Sequence, residues 1–436
     1  MSSEKETSST LSESLWSAER EGYKQLLVTA HAYQPQRETF CPASKDRLSV
    51  VPQVNEVIYE QVYKPLLVEG ETLPRDLVFS FYPGLRDWMR SSHPDEYGRV
   101  VEKINALPNK EYQVLGDPYL HDILPLLPIE DQDLLVKIGK KAFEDDLGFE
   151  PKGFWAPETA ISAETLDVLL DNGYEFVVLR DSQLKETDSN PIKVRTPSSR
   201  EINVIHFNSG LSGSLSFDSE VSANADDFLN RLSGINLNTV SIASDMELYG
   251  HHKPDRDKFL LYLEKEGILE RHGFIPFDVK RVLEADDREE GVTEVWDRSS
   301  WSCEHGLGRW TGECGCDNPS HEASSDKRYF FQTLTKFGLQ INLKLDQVDS
   351  DWRERFTEFF LSERELMFDS AKKENRPIVA DNLYWAKYCE LVGRVSCGWF
   401  FGGKNSPERE IPRRMILEID KLIPDINEQT VFDQAA

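Results

Sequence analysis

The chain contains no run of about eighteen apolar residues, the minimum for a membrane-crossing helix. Its opening, MSSEKETSSTLSESLWSAER, has no apolar core of a secretory signal and reads as an acidic, Ser-rich tail over residues 1–20. Cysteine is scarce: Cys41, Cys303, Cys314, Cys316, Cys389 and Cys397 in 436 residues do not make a disulfide scaffold. These absences predict a reduced, cytoplasmic protein. Basic residues are also in short supply, with 50 Lys and Arg against 77 Asp and Glu, a formal charge of −27. No basic stripe is left to neutralise phosphates, which excludes nucleic acid and anionic membrane as partners. No Gly-x-Gly-x-x-Gly follows a strand and no phosphate loop occurs, so no redox cofactor or nucleotide is implied. No internal repeat is present. A neutral substrate such as a glucan is compatible with an acidic, solvated surface.

What is present is strand–helix alternation. KQLLVTAH (24–31), LVFSF (77–81), QVL (113–115) and VSIAS (240–244) are short apolar runs bounded by turn residues, hence buried strands. Residues 153–157 form another. Ser162 caps a helix carrying Leu166, Leu169 and Leu170, Asn172-Gly173 stops it, and FVVL (176–179) follows. That βαβ unit implies parallel strands. A helix is expected near 258–266, and the Ser-, Asn- and Thr-rich stretch 183–223 reads as a hairpin or an excursion. From about residue 326 the stripes in TLTKFGLQINLKL, DWRERFTEFFLSERELMF, LYWAKYCELV and PRRMILEIDKLI are helical. The expected architecture is a barrel of parallel strands over 21–295, a Cys/His-containing loop at 296–325 and a helical domain at 326–436.

Chemistry in such a barrel sits at the C-terminal strand ends. GFWAPE places Glu158 there, because Pro157 ends the strand. Asp245 and Glu247 end another strand, and at i and i+2 they share a face if the strand persists; their repulsion would raise one pKa. Two carboxylates from two strand ends are what glycosidic-bond cleavage requires. His31, His121 and His251 are candidates to bond sugar hydroxyls, and Trp155, Trp301 and Trp310 offer stacking faces. Cys303, His305, Cys314 and Cys316 match the ligand count of a tetrahedral zinc site, although Cys-x-His and Cys-x-Cys are tighter than usual and the bland reading is packed thiols.

In this order the motifs resemble glycoside hydrolase family 57, a family of amylases and 4-α-glucanotransferases. The resemblance implies an incomplete (β/α)7 TIM-like barrel with a helical region after it, and a retaining hydrolase or transglycosylase acting on α-glucans. It makes Glu158 the nucleophile and Asp245 the general acid/base, with His31, Gln34, His121, Trp155, Glu247, His251, Trp301, His305 and Trp310 around the substrate. It calls for no catalytic cofactor. Three positions depart from the family pattern: Met246 replaces a glycine between the two acids, Trp301 replaces an aspartate four residues before His305, and only Asp117 can serve the second motif. Two other readings compete. One is a metal-dependent carbohydrate deacetylase using Asp245, His251 and His252; the other is a non-catalytic glycan-binding protein on the same barrel.

Overall fold

The structure, a computed structural model, describes residues 22–74, 76–285, 291–316, 324–368, 382–400 and 406–427. The expected tail at 1–20 lies outside the described residues. Seven parallel strands run in sequence order around the fold: β1 (Lys24–Ala32), β2 (Leu77–Phe81), β3 (Val114–Leu115), β4 (Gly153–Phe154), β5 (Phe176–Arg180), β6 (Glu201–Phe207) and β7 (Thr239–Asp245). β7, β1, β2 and β3 are hydrogen-bonded neighbours, as are β4, β5 and β6. A parallel bridge between Gly116 and Phe154 joins the two groups. At the remaining seam Asn208 N–H donates to Ser241 O at 2.8 Å, just beyond the end of β6. The ring is an incomplete (β/α)7 barrel followed by a helical region.

The local reasons are those expected of the residues. β1 and β2 are buried on both faces, as parallel strands covered by helices must be. The Ser162 hydroxyl accepts from Thr165 N–H and caps the helix Ala163–Asp171. The stretch 183–223 does hold a hairpin, Ile192–Arg195 antiparallel to Glu201–Val204, but its second strand is also the sixth barrel strand, since β6 lies parallel to β5. Glu201, Asn203 and His206 interrupt the apolar residues of EINVIHF, which disguised a barrel strand as a loop. The helix expected at 258–266 spans only Asp257–Leu263.

Among the described residues four long helices follow the barrel: α1 (Ser325–Val348), α2 (Trp352–Phe368), α3 (Asn382–Gly393) and α4 (Glu410–Leu422). Their apolar faces share one continuous core with barrel residues such as Leu120, Leu135 and Phe154. A buried ionic network also crosses that boundary. Lys387 Nζ lies 2.9 Å from Asp131 and 2.9 Å from Glu390, and Arg394 also pairs with Glu390. Asn342 adds amide donation to Asp131. Removing the central cation leaves the buried Asp131 with amide donation but no cation, and Glu390 with Arg394 alone, so Lys387→Met is expected to destabilise the fold by about 3–5 kcal/mol. Chemical denaturation checks this, and a loss below about 1 kcal/mol would show that the network does not hold the helices to the barrel.

Candidate active site

The C-terminal strand ends open into a cavity of about 810 Å³. Glu158, Asp245, Glu247, His31, Gln34, His121, His251 and Trp301 all line it. The helical region supplies Ser396, Cys397 and Phe400 to its wall. β1 fixes part of this layer by register, since His31 stands opposite Asp245 on one neighbour and Ser80 on the other.

Glu158 is not carried by a long strand. β4 ends at Phe154, and Pro157–Thr159 form a tight turn in which Glu158 has φ of +57° and Thr159 +47°. Left-handed backbone at non-glycine residues costs roughly 1–3 kcal/mol each and concentrates at functional sites. Gln183 holds this turn from behind, accepting from Thr159 Oγ1 at 2.9 Å and donating to Thr159 O at 2.8 Å. The result aims the Glu158 carboxyl at two donors: Trp301 Nε1 at 2.9 Å and Ser302 Oγ at 2.8 Å, both on Oε2. Among the described residues Oε1 has no donor. Burial raises the Glu158 pKa, and the Trp301 and Ser302 hydrogen bonds and the Arg309 charge oppose that rise.

Asp245 has the opposite surroundings. It ends β7 with its carboxyl open to the cavity and the mass of the protein behind it. No donor reaches it among the described residues. Enclosure by protein raises its pKa well above the carboxylate range, and the negative charges of Glu247 and Glu158 raise it further. The shared-face argument for Glu247 does not hold, because β7 stops at Asp245 and Met246–Leu248 form a tight turn. Glu247 reaches the site from that turn instead. It accepts from Tyr63 Oη, from Gln34 Nε2 at 3.2 Å and from Tyr33 N–H at 3.2 Å. Burial pushes its pKa up to about 7 against those hydrogen bonds.

The two histidines form a neutral pair. His31 Nδ1 bonds Ser80 Oγ, His31 Nε2 lies 3.1 Å from His121 Nε2, and His121 Nδ1 lies 2.6 Å from Ser396 Oγ. Burial drives His31 down to about 3; His121 falls well below its usual value through burial and then the His31 charge. With both rings neutral, one Nε2 carries the shared proton and the other accepts it, and the serine hydroxyls adapt at either end.

Three expected substrate contacts lie elsewhere. Trp155 is fully buried and stacks on the hidden face of His31 at 5.0 Å, because the chain turns outward only after it. It supports the site from behind rather than offering a face to sugar. Trp310 is buried beneath Phe400, and His305 stands in the cysteine cluster; neither lines the cavity. His251 reaches the rim, with its Nδ1 2.8 Å from Gln61 Oε1, and His252 beside it is tilted by 57°. Among the described residues, Asp245, His251 and His252 do not converge as a metal-ligand group, in contrast to Cys303, His305, Cys314 and Cys316. Sequence reasoning missed Tyr33, Arg37, Tyr63, Arg180, Ser302 and Cys397. Ser302 was legible as the neighbour of Trp301; Tyr63, on a distant helix, had no local signal.

The sequence model described as glycosyl hydrolase family 57 matches residues 26–291. An α-amylase of Dictyoglomus thermophilum is 28% identical over 144 residues, covering 31% of this chain and 20% of its own length. A 4-α-glucanotransferase of Thermococcus kodakarensis is 28% identical over 131 residues, covering 29% of this chain and 19% of its own. The match thus spans about a fifth of these curated relatives. Among solved structures, an exo-type maltose-forming amylase from Pyrococcus sp. ST04 superposes with TM-score 0.66 at 17% identity, over 93% of this chain and 81% of that one. A GH57-type branching enzyme from Pyrococcus horikoshii gives 0.63 at 15% identity, over 92% and 88%. The two structural likenesses share the fold.

The Glu247 environment has a measurable consequence. Between the ordinary value of 4.5 and about 7 the folded chain keeps a proton that the unfolded chain has released, so this group withdraws stability as pH rises through that window. Glu247→Gln cannot ionise and is expected to lose less stability than the native chain over the same interval, the gap approaching about 3 kcal/mol. Denaturant titrations at several pH values read the difference; parallel curves would contradict the assignment.

Proposed function

The chain belongs to glycosyl hydrolase family 57, and from that premise we propose that it cleaves or transfers α-glucan chains by double displacement, with Glu158 as nucleophile and Asp245 as general acid/base. The observation that carries this reading is the unequal treatment of the two acids. Glu158 has two hydrogen-bond donors and a nearby guanidinium, all favouring the anion. Asp245 has no donor among the described residues and two carboxylate neighbours, all favouring the protonated form. Environments that push two carboxyls apart in this way assign the base and the acid.

The sequence of events follows from those states. The free Oε1 of Glu158 attacks the anomeric carbon while Asp245 delivers its proton to the departing glycosidic oxygen. A covalent glycosyl-enzyme forms, and its ester is on Glu158. Asp245, now ionised, takes a proton from water or from an acceptor sugar hydroxyl, which attacks and restores the original anomeric configuration. Trp301 and Ser302 keep their bonds to Oε2 throughout and so hold the carboxyl in one orientation. The neutral His31–His121 pair and Glu247 present fixed polar atoms to sugar hydroxyls. Trp301, Phe207 and Phe400 give the cavity aromatic walls on which a pyranose can stack. The acidic surface suits an uncharged polymer, as the composition implies.

Asp245→Asn is expected to lower kcat/KM on maltooligosaccharides by about 10²–10⁴-fold. With an aryl α-maltoside and azide, Asp245→Ala should yield the α-glycosyl azide, because azide intercepts the covalent intermediate. Glu158→Ala should yield the β-azide, because azide replaces the missing nucleophile. NMR of the products distinguishes the two; full native turnover in either variant, or the opposite anomers, would overturn the assignment.

A further inference from the structure

Four metal-binding side chains of the 296–316 loop come together just outside the cavity, and the reading above gives them no role. Cys303 and His305 lie on its first limb; Cys314 and Cys316 lie beyond the short helical turn Gly308–Thr311. Their donor atoms all fall within 4.8 Å of one another. Cys303 Sγ is 3.6 Å from Cys314 Sγ and 3.9 Å from Cys316 Sγ, and His305 Nδ1 is 3.0 Å from Cys316 Sγ. A disulfide needs sulfurs roughly 2.05 Å apart, so these thiols are not paired to one another. Zinc–sulfur bonds of about 2.3 Å in a tetrahedron set sulfur–sulfur edges at about 3.8 Å, the separation seen here.

The backbone is shaped around this cluster. A Cβ on Gly308 would stand 3.2 Å from Cys314 Sγ, so the glycine lets the helical turn approach the sulfur closely without displacing it. Gly306 has φ of +69°, and a Cβ there would meet Arg298 O at 2.5 Å. The tight Cys-x-His and Cys-x-Cys spacings are accommodated because the two limbs face each other across this turn.

The cluster directly adjoins the two residues that hold Glu158. Ser302 precedes Cys303, and Trp301 precedes Ser302. The limb is tied to the barrel upstream of them: Ser299 exchanges backbone hydrogen bonds with Ile161 at 3.0 and 3.1 Å, and Trp301 N–H donates to Glu158 O at 3.2 Å. Downstream, Arg309 lies 4.3 Å over the Phe400 ring and Lys327 Nζ bonds Arg309 O at 2.6 Å. Between these anchors the segment has few buried apolar side chains, chiefly Leu307 and Trp310. A cross-link at Cys303 would add a further restraint between these anchors.

We propose that Cys303, His305, Cys314 and Cys316 bind one structural zinc ion that fixes the loop presenting Trp301 and Ser302 to Glu158. Three thiolates and one imidazole complete the tetrahedron and leave no position for water or substrate, so the ion is structural rather than catalytic. The positioning half of this proposal rests on Glu158 being the nucleophile; the binding half does not.

The test starts from the native full-length protein, purified without chelator. Elemental analysis is expected to find one zinc per chain, released when the thiols are modified with a mercurial reagent. Replacement by cobalt(II) is expected to give thiolate-to-cobalt charge transfer and the intense visible bands of a tetrahedral ion. Cys314→Ser and Cys316→Ser should lose that signature, whereas Cys41→Ala, at a distant thiol, should keep it. Removal of zinc should lower kcat at least tenfold with a smaller change in KM, and zinc should restore it. Absence of metal and of the cobalt spectrum in the native protein, or a Cys303–Cys314 disulfide by mass spectrometry, overturns the site. Bound metal whose removal leaves kcat unchanged overturns the positioning role. If Glu158→Ala retains native turnover while the cobalt signature is present, the catalytic reading falls and the metal site stands.

Discussion

Two carboxyls that share a cavity repel each other, and a protein can keep both there only by surrounding them differently. Around Glu158 the chain places an indole N–H, a serine hydroxyl and the Arg309 guanidinium. Around Asp245 it places a second carboxylate, Glu247, itself pushed up to about 7. The asymmetry is not a property of the two residues; it belongs to what stands behind them. The strained turn at Glu158, the loop bearing Trp301 and the register of β7 beside β1 all serve to maintain it.

That arrangement needs support from parts of the chain remote in sequence. Glu247 is held by Tyr63 and by Gln34, and Arg37 in turn donates to the Gln34 carbonyl at 3.3 Å. His31 and His121 are tied at one end to Ser80 of β2 and at the other to Ser396 beyond α3. The helical region therefore does more than cover the barrel. Its Ser396 also accepts the outer nitrogen of His121 or donates to it, and its N–H bonds His121 O at 2.7 Å, so the cap and the polar floor of the cavity are set together.

Much of this could be read from residue order. Parallel strands with apolar cores announce themselves by composition, which is why β1, β2, β5 and β7 were placed correctly and why a barrel followed from the βαβ unit. β6 was missed because Glu201, Asn203 and His206 interrupt its apolar run and its edge neighbour is an antiparallel hairpin strand. Glu158 and Asp245 were legible as cavity residues because each stands at or just beyond the C-terminal end of a strand. The roles of Trp155 and Trp310 were misread for one reason: an aromatic near a motif carries no sign of which way it points. Trp155 faces inward and stiffens His31, whereas Trp301 faces the cavity. Tyr63 and Ser396 reach the site only through tertiary folding, so nothing local could reveal them.

The departures from the family pattern have local physical explanations. Met246, where a glycine is usual, is fully buried beneath the turn that carries Glu247, so its side chain fills core rather than crowding substrate. Trp301, where an aspartate is usual, changes the chemistry next to Glu158. An aspartate there would add a third negative charge near Glu158 and raise its pKa; an indole N–H instead donates to Oε2 and lowers it. A bulky donor on a loop is useful only if the loop is stiff, since an N–H···O bond weakens steeply when misaligned. The residues that follow it are cysteines and a histidine gathered within bonding range of a common centre. Replacing a charged residue by a neutral donor and converging four metal-binding side chains beside it are two parts of one solution: the first sets the sign of the interaction with Glu158, the second its geometry.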